Sequence, residues 1–83
     1  MGELARLPNI GKVLEKNLHL IGVDTQKQLK EMGSKEAFLR IRLIDPGACL
    51  HMLYGLQGAI DGIKDTLLTE AARRDLKAFY KNL

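Results

Sequence analysis

The stretch from Ala48 to Ile63 constrains the fold more than any other part of this chain. Cys49, Leu53, Leu56, Ile60 and Ile63 recur at three- and four-residue spacing, the period of a helix face. Beside them runs a stripe of small or flexible residues: Ala48, Met52, Gly55, Ala59 and Gly62. Glycine inside a helix costs about 1 kcal/mol against alanine, so Gly55, Gly58 and Gly62 would leave such a helix marginal alone. Close approach by the backbone of another helix is the expected compensation, and bulky residues at Gly55 or Gly62 are expected to overpack. The spacing therefore predicts a long, largely buried helix over about 48–63, at the centre of a bundle. A self-association face is the second reading of the glycines. They are not a nucleotide-binding loop, because they interrupt a helical pattern and no strand precedes them.

Turn signals divide the rest of the chain evenly, at Pro8-Asn9, Gly22, Gly33-Ser34, Asp45-Pro46-Gly47 and residues 64–69. From Ile10 to Ile21, the residues Ile10, Leu14, Leu18 and Ile21 share a face, with Val13 beside them. Gly22 suits the left-handed closing position, which would bring Val23 onto Leu18. Thr25 and Gln28 have capping-box spacing ahead of a short helix over about 26–32, with Leu29 and Met32 inward. Ser34 is the expected cap of a helix over about 35–43 that buries Ala37, Phe38 and Ile41. Pro46 stops it. Thr69 caps a last helix over about 70–82, with Ala72, Leu76, Phe79 and Tyr80 inward and Arg73, Arg74, Lys77 and Lys81 solvated. No run of alternating β-branched residues is long enough for a strand. The fold class expected is all-α: a compact bundle of five or six short helices with a helix-hairpin-helix-like N-terminal half.

Eighty-three residues suit one domain over 1–83, burying roughly 60–65% of the unfolded surface. The apolar runs are only a few residues long, so no membrane span is expected, and the first residues lack the order of a signal peptide. A single cysteine, Cys49, excludes an internal disulfide, and the chain reads as cytoplasmic. Thirteen Lys and Arg against ten Asp and Glu give a net charge of +3, compatible with nucleic acid without demanding it. With no Trp and two each of Phe and Tyr, stacking of several bases is not expected.

The sharpest functional signal is Leu7-Pro8-Asn9-Ile10-Gly11-Lys12. It lies between a short helical turn and the next helix, and resembles the hairpin of a helix-hairpin-helix motif. A tight turn there aims backbone N–H groups outward at a helix start, where the dipole favours an anion. A phosphate could be held without any base being read. Asn9 stands where such hairpins usually have their first glycine and tolerates the left-handed region; Gly11 holds the second place. The expected nucleic-acid contacts are Asn9, Ile10, Gly11, Lys12 and Lys16, with Arg40 and Arg42 extending the track. The plainer reading is a corner that buries Ile10. Lys27, Lys30 and Lys35 are interleaved with Glu15, Asp24, Glu31 and Glu36, the pattern of an ordinary solvated surface. Cys49 reads as a small buried hydrophobe. His51, two residues on, diverges from it on a helix, and His19 has no partner set, so no metal site, cofactor or catalytic residue is expected.

Four blocks of the sequence are similar to the TfoX (Sxy) C-terminal domain family. They are the run from Leu7 to Glu15, the run from Gly33 to Ile41, the run from Cys49 to Ile60, and Leu76-Lys77-Ala78-Phe79-Tyr80. They occur in the family's order and cover nearly the whole chain. The resemblance implies an all-α domain related to helix-hairpin-helix folds and an association with natural competence, the bacterial DNA-uptake programme. Two-domain members carry an N-terminal α/β domain; this sequence opens with Met1 almost at the C-terminal block, which implies a stand-alone relative. Where many relatives are expected to have a Trp-His pair, this chain has Lys64-Asp65. The function expected is a non-enzymatic regulatory module that contacts the DNA backbone weakly and without sequence preference. The alternative is a protein-interaction module, with a transcription-related partner or a second copy of itself.

Overall fold

The computed structural model describes residues 2–83. Among these residues all regular structure is helical: α1 (Lys12–Leu20), α2 (Gln26–Met32), α3 (Ser34–Ile44), α4 (Leu50–Asp61) and α5 (Glu70–Lys81), with 3-10 turns at Glu3–Arg6 and Asp65–Leu67. The fold is all-α, with five helices.

Local chemistry sets most of the helix ends. At the end of α1, Val23 donates to the Leu18 carbonyl (2.8 Å) and Gly22 to that of His19 (3.0 Å). This is the Schellman arrangement, with Gly22 left-handed and Val23 fully buried. Thr25 and Gln28 close a capping box over the first turn of α2. The Thr69 hydroxyl accepts from the Ala72 N–H at the start of α5 (3.1 Å).

The join between α2 and α3 differs from expectation. Ser34 is the first residue of α3, and Gly33 both ends α2 and caps α3, at φ +85° and ψ 159°. With one residue between two helices, the backbone must turn through a region that side chains rarely occupy. The Ser34 hydroxyl is thereby freed to donate to Gln57 Oε1 on α4 (2.6 Å).

The central helix is shorter than the sequence suggests. It starts at Leu50, and Cys49 is its extended N-cap residue, exposed rather than buried. No local signal marks this start, because Pro46 and Gly47 end the previous helix without fixing where the next begins. At the other end Gly62 is not inside the helix. It adopts φ +75° and closes α4 in a second Schellman arrangement, with Ile63 donating to the Gly58 carbonyl (2.9 Å). A Cβ on Gly62 would meet nothing within 4 Å, so its glycine serves the turn and not packing.

Helix α4 packs against α3, α5, α2 and the 65–67 turn. Leu4, Leu18, Val23, Leu29, Phe38, Ile41, Leu53 and Leu56 are fully buried in one connected core. Each such side chain contributes roughly 1.5–3 kcal/mol by leaving water. Phe38 is the largest of them, and its ring meets Tyr80 of α5 at 5.8 Å. In α5, Leu76 is buried while Ala72, Phe79 and Tyr80 are half-buried. Arg73, expected in solvent, is drawn inward. Its guanidinium lies over the Tyr54 ring and donates to the Asp65 carbonyl (3.0 Å). Val13 is also misplaced by the sequence reading: it is 69% exposed, one helical step off the buried Leu14–Leu18 face. No helix among the described residues is long and apolar enough to cross a membrane.

Candidate functional site

The corner between the first 3-10 turn and α1 is held from inside by one side chain. Asn9 is left-handed, at φ 71°, and the only non-glycine residue with positive φ among those described. Its amide nitrogen donates to the backbone oxygens of Gly55 (3.2 Å) and Ile63 (3.0 Å). Its amide oxygen accepts from the Asp65 N–H (3.1 Å). Asn9 therefore ties the corner to the body of α4 and to the loop that follows it. Gly58 is the partner that makes room. A Cβ there would lie 2.6 Å from Asn9 Nδ2 and 2.7 Å from the Ile63 oxygen. What crowds Gly58 is therefore not the backbone of another helix, as expected, but the Asn9 side chain and the carbonyl of Ile63 just past the end of α4. At Gly55 a Cβ would make ordinary contact with Asn9 Cβ at 3.5 Å. Ile10 completes the inner side, 7% exposed in the core.

The outer side of the same corner is open. Gly11 is the N-cap residue of α1, with extended backbone (φ −92°, ψ −173°) and no capping side chain. The first helical hydrogen bond runs from the Glu15 N–H to the Gly11 carbonyl (2.9 Å). The amides of Lys12, Val13 and Leu14 precede it and are the unsatisfied donors of a helix start. A Cβ on Gly11 would meet nothing within 4 Å. Lys12 and Lys16 stand one turn apart and exposed, and neither forms an ion pair among the described residues.

Further along α1, Glu15 turns inward against the N-terminal segment. Its carboxylate accepts from the Gly2 N–H (2.8 Å), and this bond holds the carboxyl below the ordinary glutamate range. The His19 ring lies between Glu15 (3.8 Å) and Asp24 (2.7 Å).

Beside this corner runs a groove of about 610 Å³, between α1 and the first two turns of α4. Val13, Leu14, Met52 and Gly55 supply its apolar lining. Lys12, Cys49, His51 and Asp65 add polar groups, with His51 Nε2 3.4 Å from the Asp65 carboxylate. Sequence reading missed this groove. Its walls come from segments some forty residues apart, and one of its residues, Cys49, is expected from the sequence to lie in the core.

The remaining flagged residues are dispersed. Arg40 is exposed on α3 and paired with Glu36 (2.8 Å), and Arg42 is exposed in the last turn of α3. Among the described residues no hydrogen bond or ion pair links either to the corner at residues 7–12. Lys35 is bound to Asp75 of α5 (2.8 Å), with its ammonium over the Phe79 ring. Lys27 and Lys30 are exposed on α2. Cys49, His51 and His19 do not converge, and no group of three His, Cys, Asp or Glu side chains among the described residues could hold a metal ion.

Comparison with known proteins places this geometry in a family. Protein Sxy of Escherichia coli (strain K12) is 32% identical over 80 residues, which are 96% of this chain and 38% of Sxy. The chain thus spans well under half the length of that relative. A crystal structure of an uncharacterized protein from Listeria monocytogenes, in a triclinic form, is 49% identical and superposes with a TM-score of 0.93, over 95% of this chain and 90% of that one. A tetragonal form of a Listeria monocytogenes protein of unknown function gives 49% identity and a TM-score of 0.92, over 95% and 96% of the two chains. The sequence also matches the family described as the TfoX C-terminal domain, over residues 1–80. A match of that extent, on a fold built from the same blocks, makes this chain a member of the TfoX C-terminal domain family.

Proposed function

We propose that this chain is a non-enzymatic regulatory module of the competence-regulator type, acting in the cytoplasm, and that its hairpin grips the DNA backbone. The observation that carries the reading is Gly11. Neither a left-handed backbone nor a crowded Cβ calls for glycine at this position. Its absent side chain does leave the uncapped amides at the start of α1 open to a close approach. Lys12 and Lys16 add positive charge on the same exposed side. A contact of this kind holds a phosphate and reads no base. Arg40 and Arg42 are not needed in it.

One hairpin neutralises about two phosphates, so binding to duplex DNA should be weak, about 10⁻⁴–10⁻⁶ M, with a salt slope near −2 on logarithmic axes. Fluorescence anisotropy with a labelled duplex at two salt concentrations measures both. Lys12→Glu with Lys16→Glu should abolish the signal for every DNA sequence alike, with the melting temperature unchanged because both side chains are exposed. Undiminished affinity in that double variant would remove the hairpin as the contact. The groove beside Val13 favours the second reading, a module that binds a protein. Absence of wild-type binding to DNA even at low salt would favour it further.

A further inference from the structure

We propose that the groove between α1 and the first two turns of α4 takes a short segment of a partner protein, one with apolar side chains next to an acidic residue. This rests on the protein-interaction reading and not on DNA contact. The volume, about 610 Å³, lies among those of formed binding clefts, about 300–1,000 Å³. The α4 wall from Cys49 to Gly55 is only about 9 Å long at 1.5 Å per residue, so the occupant is a few side chains and not a long helix.

The lining specifies the occupant. Leu14 and Gly55 are buried and form the floor. Gly55 has no side chain, so the floor there lies at backbone depth. Met52 is half-buried, and Val13 is 69% exposed. An apolar side chain entering here removes Val13 and Met52 from water, which supplies the affinity. Charge then selects the sequence beside it. Lys12 stands at the α1 edge without an ion-pair partner among the described residues, and Lys16 follows one turn later. Asp65, the one acid in the lining, is set back from the surface, its side chain 18% exposed, with His51 Nε2 3.4 Å from its carboxylate. An incoming carboxylate meets an unpaired ammonium, whereas an incoming lysine or arginine meets like charge. The small contact places the interaction among weak, transient ones.

The test uses a library of random dodecapeptides displayed on phage, selected against the immobilised chain, with the winners made as synthetic peptides. Cys49 reports occupancy, being the only cysteine, exposed, and part of the groove lining. Peptides combining aliphatic or aromatic residues with Asp or Glu are expected to be enriched. At about ten times their dissociation constant they should slow alkylation of Cys49 by N-ethylmaleimide about tenfold, since only the open fraction reacts. Val13→Glu should abolish peptide binding while keeping the wild-type melting temperature. Met52→Glu should do the same to peptide binding. Peptides that bind without protecting Cys49, or that bind Val13→Glu unchanged, would overturn the groove assignment but keep the protein-interaction reading. Enrichment of basic or uncharged peptides would overturn the acidic occupant. A library that yields no binder overturns the groove and that reading together.

Discussion

The two sides of the corner at residues 7–12 are built on opposite rules. On the inner side the Asn9 side chain is fully engaged: it makes three hydrogen bonds, to Gly55, Ile63 and Asp65, and Gly58 gives up its side chain to admit them. On the outer side Gly11, Lys12, Val13 and Lys16 are exposed, and no hydrogen bond or ion pair of their side chains among the described residues accounts for their identities. A folding requirement explains the first set and leaves the second unexplained. Residues with no structural reason to be what they are, mounted on a corner fixed from behind, are where binding is to be sought.

The most direct way to break this contrast is Asn9→Ala. It removes three hydrogen bonds at about 1 kcal/mol each and forces alanine into the left-handed region for about 1–2 kcal/mol. A loss of about 3–5 kcal/mol in urea unfolding is expected. Asn9→Gly keeps the backbone and should cost about 1 kcal/mol less, which separates the bonds from the strain. A loss below 1 kcal/mol in Asn9→Ala would mean that the inner side is not locked.

The next largest effect is expected at Gly58. Gly58→Ala gains about 1 kcal/mol of helix propensity but must displace Asn9 and the Ile63 carbonyl, at about 1–3 kcal/mol or more. A net destabilisation of up to about 2 kcal/mol should result. Gly55→Ala has ordinary contacts to Asn9 and should be neutral or stabilising, by up to about 1 kcal/mol. If the two alanines behave alike, the tight approach is not centred on Gly58.

What was legible in the sequence follows the range of the interactions. The end of α1 and the starts of α2 and α5 depend on partners within five residues, Leu18 with Val23, Thr25 with Gln28 and Thr69 with Ala72, and all were readable. Ser34 was misread because Gly33 and Ser34 both suit a cap, and only the single-residue link between helices decides between them. Cys49 and Gly62 were drawn into α4 by extending a periodic pattern past its physical ends. Asn9 was rightly seen as a residue for a left-handed turn, but its partners lie 46 to 56 positions away. The groove was illegible for the same reason. It exists only once α1 and α4 meet, and helical spacing put Val13 nearer the core than it lies.

Glu15 offers the smallest test, since it extends the inner side to the chain's beginning. It is 8% exposed, and the Gly2 N–H donates to its carboxylate. That bond favours the ionised form and lowers the folded-state value below that of an ordinary glutamate. In the unfolded chain the carboxyl returns to its ordinary value, about 4.3, and binds its proton first as the pH falls. The unfolded state then carries more protons than the native state, so the stability this group contributes is present above about pH 4.3 and lost on acidification through the folded-state value below it. Glu15→Gln removes the titration. Its unfolding midpoint should lie below that of wild type near pH 7, and the two should converge as the pH drops through that window. Differential scanning calorimetry across the acid range measures both curves. Curves that stay parallel from neutral to acid pH would show that the carboxylate does not hold the N-terminal segment, and the inner side would then end at Asn9.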